Sequence, residues 1–448
     1  MKSILIRNAK ILVGDEFTEA YVLVEDGIVK AISKTKPGEA DQEIDAYHQP
    51  LIPGGIDMHA HVYDPEYRDN EDWRTGSLAA LYGGITTIYD MPLRLFVDTK
   101  SAVQEKIREA SRNSYVNYGI IAGFFNENNY KRIIELAEEG IRGYKVFTTR
   151  PFKPDELYYP VILETIANVN GVAVIHAEDD ALVAYGEAKY RVQNDPLAWH
   201  LHRTGYAEAS AILRIGYIAL DVGAHVHIAH LSSKEGVEAI ALLKRRKARI
   251  TSEVCPHHLY FTHRDVDRYG SYLKVAPTIK SSEDREELWN ALSEGLIEAY
   301  ASDNAPAPRE LKEADVWSAW SGIPSLEVMI PFLYTYGVLQ RRISFQRFID
   351  VTSRNPARIM GIYPSKGELC VGCDADLVVI DTRKPVKYSS TKHHHKVDWS
   401  PWDGLYFYGT PIHVVINGEL MLKDRELVGE PGKAKYVRKR AKSRELAR

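Results

Sequence analysis

Between Gly55 and about Pro331, short apolar runs alternate with helix-like segments, and this alternation restricts the chain more than any other feature. The runs are GGIDMHAH, GITTIYD, VNYGIIAG, IRGYKVFT, VAVIHAE, AHVHIAH, ARITSEV and IEAYASD, eight in all. Segments such as EDWRTGSLAALYG and SEDREELWNALSEG follow them with helical spacing. Parallel neighbours cannot be joined by a tight turn, so repeated strand-then-helix units predict a parallel sheet with crossover helices. Eight units close most economically into an α/β fold of the (β/α)8 barrel type, with chemistry at the C-terminal strand ends. An open doubly wound sheet is the competing arrangement.

The flanking segments have a different texture. ILIRNAKILV and AYVLVEDGIVKAI, broken by Gly14, Asp26-Gly27 and Pro37-Gly38, predict a small antiparallel sheet. GELCVGCDADLVVID and TPIHVVINGEL repeat that pattern after a helical stretch ending near Met360. The expected division is one β-sandwich built from both chain ends, residues 1–52 and 363–448, with the barrel, residues 53–362, inserted between them. A chain of 448 residues has room for a barrel of about 250 and a second unit.

Composition excludes several classes. With 45% hydrophobic and 26% charged residues, intrinsic disorder is ruled out. The 57 basic and 61 acidic side chains leave a net charge of -4, so nothing pulls the chain globally toward nucleic acid or an anionic membrane, and a small molecule is the expected partner. The opening MKSILIRNAKILVG is interrupted by Arg7, Asn8 and Lys10, which removes the apolar core of a signal peptide, and no run is long enough to span a bilayer. Cys255, Cys370 and Cys373 are too few for a disulfide framework and point to a reducing, cytoplasmic location. Cys370-Val371-Gly372-Cys373 lacks the second CxxC of a zinc ribbon and is expected to be a plain sandwich turn. The basic end GKAKYVRKRAKSRELAR is expected to be a solvated tail, and Lys392–Lys396 (KHHHK) a solvated loop near the barrel mouth.

The residues that carry chemistry gather at strand ends. His59-Ala60-His61 closes the first run, and because side chains alternate, Asp57, His59 and His61 share a face on which two imidazoles can grip one metal. HxH alone selects little, since His200-Leu201-His202 and His225-Val226-His227 also occur. Recurrence at one level selects more: His176 ends run five, His230 ends run six and Asp303 ends run eight. Imidazole and carboxylate without thiolate suit zinc or another borderline divalent ion. On run six, alternation puts Val226, Ile228 and His230 on one face and His225 and His227 on the other, beneath the helices, which favours His230. His257 and His258, just beyond run seven, are secondary candidates. Lys145 in GYKVFT is anomalous, because an ammonium in a metal-lined barrel repels the cation. Burial lowers a lysine pKa, and the neutral amine can combine with carbon dioxide to give an anionic carbamate.

Through PGGIDMHAH, GGITTIYDMP, GYKVF, IHAE, HLSSKEG, CPHHL, APTIKSSEDREELW, ASDNAP, NPARIMGIYPSKGEL, VGCDADLVVID and LVGEPGKAKYV, nearly the whole chain resembles the cyclic amidohydrolases of the amidohydrolase superfamily. That group holds dihydroorotases, hydantoinases or dihydropyrimidinases, and allantoinases. The resemblance implies two divalent ions, with zinc expected: His59, His61 and Asp303 on one, His176 and His230 on the other, and carboxylated Lys145 bridging them. It also implies reversible hydrolytic opening of a cyclic amide and a homo-oligomer. Asp303 would take a proton from the attacking water and pass it to the leaving nitrogen, which an amide needs because its anion leaves poorly.

Substrate-side positions divide the group. Tyr63, Leu93 and Ala276 stand where dihydroorotases carry an arginine and two asparagines resembling a carboxylate clamp. Asp90-Met91-Pro92-Leu93 and Ala276-Pro277-Thr278-Ile279-Lys280 are similar to allantoinases, although Arg94 replaces their asparagine and Asn304 replaces the usual histidine after Asp303. The expected reaction is allantoinase-like opening of a ureide ring, with dihydroorotase or hydantoinase activity as the alternative. Some relatives have lost the ligands and act as assembly proteins; the presence of His59, His61, Lys145, His176, His230 and Asp303 argues for catalysis, and Lys145 argues against a mononuclear deaminase.

Overall fold

Eight parallel strands form a barrel in chain order in the computed structural model, which describes residues 3–93, 96–192 and 195–438. They are Gly55–Ala60, Ile85–Asp90, Asn117–Ile120, Gly143–Phe147, Val172–His176, Val226–Ile228, Ile250–Val254 and Ala299–Tyr300, each within one of the eight runs. Strands one to three pair in sequence, as do four to eight. Parallel bridges between Ala122 and Tyr144 and between Ala60 and Asn304 join the two arcs and close the ring. Tyr144, Val146, Ala173, Ile175, Val226 and Ile228 share an apolar cluster with helix residues Ile162, Ile212, Ile215 and Ile240. The intervening positions therefore face inward, where Lys145 and Val174 lie side by side in register.

The crossover helices begin and end where local chemistry dictates. Thr204 caps the helix Gly205–Val222, which stops at Gly223 in the left-handed region. Ser281 and Asp284 form a reciprocal capping box on the helix Ser282–Glu294.

Both chain ends build the sandwich. One sheet holds Ser3–Val13, Glu16–Glu25, Ile28–Ser33 and Gln42–Asp45; the first three are antiparallel, and the fourth runs parallel to the first. The other sheet combines Leu51–Pro53 with Leu377–Asp381, Thr410–Ile416, Glu419–Lys423 and Glu426–Leu427. Ile4, Ile6, Val22 and Val24 meet Leu51, Leu377, Val379 and Val415 in one core. A register shift between Ile6 and Ala9, with Asn8 at a φ of 54°, moves the inward set from even to odd positions, so Ala9 and Ile11 stay in that core.

Three expectations are corrected. Cys370 and Cys373 are joined by a disulfide across the turn that contains Gly372, their Cα atoms being 5.4 Å apart, a span a disulfide readily closes. The basic end is not wholly a solvated tail: Tyr118 N–H donates to Lys435 O at 3.1 Å, and Val437 N–H to Tyr118 O at 2.8 Å, so the segment up to Arg438 binds the barrel wall. Residues 439–448 lie outside the described residues. The KHHHK segment is tied down, because buried carboxylates require partners. His395 is buried with Nδ1 2.7 Å from Glu71 Oε2, and His394 stacks on Tyr82 at 3.8 Å while bonding Glu327. Among the described residues, no helix is long and apolar enough to cross a membrane.

Candidate active site

The barrel brings the five strand-end candidates, and Lys145 from the middle of the strand Gly143–Phe147, to one cavity. His59 Nδ1 bonds Glu253, and His61 Nδ1 lies 2.7 Å from the Met91 carbonyl. Carboxylate and carbonyl oxygens only accept, so each neutral ring carries its proton on Nδ1 and presents a bare Nε2. Those two Nε2 atoms lie 3.1 and 3.5 Å from Asp303 Oδ1. Three buried acceptor atoms converging on one point suit a cation, and the set is chemically competent to hold a metal ion.

A second pair stands opposite. His176 Nε2 donates to Glu178 Oε2 at 2.7 Å, and Arg203 forms an ion pair with the same carboxylate. His176 Nδ1 is thereby left bare, 3.1 Å from His230 Nε2, while His230 Nδ1 is buried with no partner among the described residues. Lys145 is buried beside Phe147, its Nζ 5.0 Å from the ring centroid. It lines the same cavity as both groups.

The electrostatics follow from burial and pairing. Burial lowers the Lys145 pKa from 10.5 to about 8 against the opposing pull of Asp303 and Glu253. Burial raises the Asp303 carboxyl, but His59 and His61 outweigh it and hold the group at about 2. Burial likewise raises Glu253 and Glu178, yet the rings and Arg203 beside them keep both well below the usual carboxylate range. Both remain ionised, as acceptors for ligand histidines must be.

His230 reaches the site for a reason alternation does not supply. The strand ends at Ile228, and His230 adopts a φ of 39°, which turns its side chain inward; Asp303 does the same with a φ of 46°. His225 and His227 are not beneath the helices as expected. His227 lies inside the barrel, bonding Glu253 at 3.0 Å and Thr251 at 2.9 Å, and His225 bonds the same Thr251 hydroxyl. It is Val226 and Ile228 that pack against the helices. His200 and His202 are held by main-chain carbonyls away from the ligand group. His257 and His258 join Cys255 in a separate buried donor group rather than the rim.

Above the ligands lies a cavity of about 390 Å³. His59, His61, Lys145, His176, His230 and Asp303 reach its surface, and Leu93 and Ala276 line it as well. The wall is aromatic, with Phe147, Phe152, Trp199, Trp317 and Trp320, and carries Arg150, Arg203 and Lys274. Tyr63 stacks against His61 and meets Trp320 edge-on at 5.8 Å. Arg94 lies outside the described residues. Asn304 accepts from Ser325 N–H at 2.9 Å.

Sequence reasoning missed Glu253, Glu178 and Arg203. Glu253 had a signal, since alternation along ITSEV puts it on the same face as Thr251; Glu178 had a weaker one in IHAE. Arg203, beyond a separate helix, had none.

Comparison with known proteins identifies the family and the fold. The Amidohydrolase family profile matches residues 51–421. The L-hydantoinase of Paenarthrobacter aurescens is 31% identical, the match covering 98% of this chain and 99% of that protein. A dihydroorotase of Methanosphaera stadtmanae is also 31% identical, over 95% and 98%. Among solved structures, the L-hydantoinase (dihydropyrimidinase) from Arthrobacter aurescens superposes with a TM-score of 0.93 at 30% identity, covering 98% of this chain and 100% of that one. Dihydropyrimidinase from Brevibacillus agri gives 0.91 at 26% identity, covering 98% and 99%. The chain belongs to the amidohydrolase family, as a hydrolase of the cyclic amide group that includes hydantoinases, dihydropyrimidinases and dihydroorotases.

Proposed function

We propose that this enzyme opens the ring of hydantoins that bear an aromatic or bulky apolar substituent. The supporting observation is the wall of Phe152, Trp199, Trp317 and Trp320 over the ligand group. Aromatic side chains favour apolar or aromatic groups over an arm rich in unpaired polar atoms. The three cations of the wall are already engaged: Arg203 with Glu178, Arg150 with Asp180 at 3.0 Å, and Lys274 with the carbonyls of Trp317 and Ala319. The carboxylate of dihydroorotate therefore has a poor counterpart, and the polar ureido arm of allantoin fits the rings badly. Hydantoinases among the relatives favour the same choice.

His59, His61 and Asp303 would hold one divalent ion and His176 with His230 a second, zinc by donor type, while Lys145 as a carbamate would be shared between them. Bound there, the ions supply polarisation of the ring carbonyl and activation of water. The chain's own groups do the rest. Asp303 accepts a proton from water and delivers it to the ring nitrogen as the C–N bond breaks, leaving a carboxylate and a ureido group. Glu253 and the Met91 carbonyl hold His59 and His61 in the ligating tautomer, and Glu178 does so for His176.

The test is hydrolysis of 5-benzylhydantoin, unsubstituted hydantoin, allantoin and dihydroorotate by metal-replete protein. The expected kcat/KM for 5-benzylhydantoin exceeds each of the others by about tenfold or more, the scale set by filling an apolar subsite. A preference for allantoin or dihydroorotate overturns this reading.

A further inference from the structure

Lys312 ends the short helix Arg309–Lys312 and is completely buried. Among the described residues, no carboxylate pairs with it. Its Nζ donates instead to three main-chain carbonyls: Lys274 at 3.3 Å, Trp320 at 2.9 Å and Gly322 at 3.0 Å. Three acceptors match the three N–H donors of an ammonium, whereas a neutral amine has two. Burial and neighbouring Lys274 push its pKa down, and the carbonyls favour the charged form.

Lys274 repeats the pattern at the cavity surface. Its Nζ donates to Trp317 O at 3.2 Å and Ala319 O at 2.5 Å, and sits 3.9 Å from the Trp199 ring centroid. The Lys274 carbonyl in turn receives Gly322 N–H at 2.8 Å as well as Lys312 Nζ. Residues 317–322 belong to no helix or strand, so their inward carbonyls have no regular ladder to join. Four of them, from Trp317, Ala319, Trp320 and Gly322, are gathered on the two lysines. The side chains of Trp317 and Trp320 on this same segment line the cavity. Burying a lysine amine without a carboxylate is costly, and hydrophobic packing alone does not require it.

We propose that Lys312 is a positioning residue for substrate selection: acting through the main chain of residues 317–322, it holds the aromatic wall in the shape that accepts a ring substituent. The substrate part of this inference rests on the hydantoinase reading above; the clamp part does not. Lys312 does not line the cavity, and unsubstituted hydantoin has no group that reaches the wall.

The experiment compares wild type with Lys312→Met, which keeps an unbranched stem one atom shorter and removes the donors, and with Lys312→Gln, which keeps two N–H donors. Kinetics are measured on 5-benzylhydantoin and unsubstituted hydantoin, together with amide hydrogen exchange and bound metal. In Lys312→Met, the KM for 5-benzylhydantoin is expected to rise about tenfold with little change in kcat, while the KM for hydantoin moves less than about threefold. Exchange across 313–322 should accelerate in the order Met, Gln, wild type, with barrel-strand peptides and metal content unchanged. Equal KM changes on both substrates overturn the selective role, and unchanged exchange across 313–322 overturns the clamp. If neither hydantoin is turned over, the proposed function fails while the exchange result still decides the clamp. Should Lys312→Met not fold, Lys312→Gln carries the same measurements and the same refuting outcomes.

Discussion

Glu253 joins the ligand group to the barrel wall, and its replacement separates charge from hydrogen bonding. The carboxylate accepts from His59 Nδ1, from His227 Nε2 at 3.0 Å and from the His230 main-chain N–H at 3.2 Å, all within a fully buried site. Glu253→Ala strands three donors. At about 1–3 kcal/mol for each buried unsatisfied group, and with partial relaxation, the expected loss of stability is about 3–5 kcal/mol. Glu253→Gln strands none of these three. Its carbonyl can serve His59 and His230, while one amide N–H faces His227, whose proton moves to Nδ1 and points at the Thr251 hydroxyl 2.9 Å away. The charge assistance is lost and the second amide N–H is left over, a cost of about 1–3 kcal/mol. Metal affinity should follow: the loss of such a supporting partner typically weakens binding 10–100-fold, with Gln near the lower figure and Ala near the upper. Urea unfolding of the metal-free protein and zinc titration against a competing chelator measure both quantities. Equal damage from Gln and Ala, or unchanged metal affinity in both, would refute the assignment of Glu253 as the group that orients His59.

Three further outcomes follow from the buried groups. With the Lys145 pKa lowered to about 8, the unfolded chain binds more protons than the folded one between about pH 8 and 10.5, so metal-free stability should rise with pH over that window, and Lys145→Met should abolish the rise. The same amine should make metal loading bicarbonate-dependent; Lys145→Ala should lose metal and activity together and be partly rescued by a short carboxylic acid, and loading of wild type that ignores bicarbonate counts against the carbamate. Glu71→Ala removes the partner of buried His395 and of the Lys396 N–H, and a loss of about 2–4 kcal/mol should appear as a lower Tm; an unchanged Tm contradicts the pairing.

What the sequence by itself determined is local and periodic. The barrel strands show as apolar runs because a strand buried on both faces has to be apolar; His59, His61, His176 and Asp303 stand out because each lies at or near the end of such a run, and Lys145 because it puts a charge in the middle of one. Closing the ring then sets strand ends at one level, so position along a run already predicts membership of the rim. His230 was legible only by position, since its inward aim comes from a left-handed backbone that alternation does not contain. Contacts between distant segments were decided by the tertiary structure alone. His395 meets Glu71 across more than three hundred residues. The cavity wall belongs to the same class. Leu93 and Ala276 are legible in the sequence as resembling allantoinases, whereas the wall on which the proposed hydantoin preference rests is assembled from Phe152, Trp199, Trp317 and Trp320 on three separate segments outside the barrel strands. Trp199 sits on the short helix Pro196–His202, but the segments of Phe152 and of Trp317 and Trp320 are neither helix nor strand and carry no periodic signal; contacts such as those of Lys312 and Lys274 hold the latter.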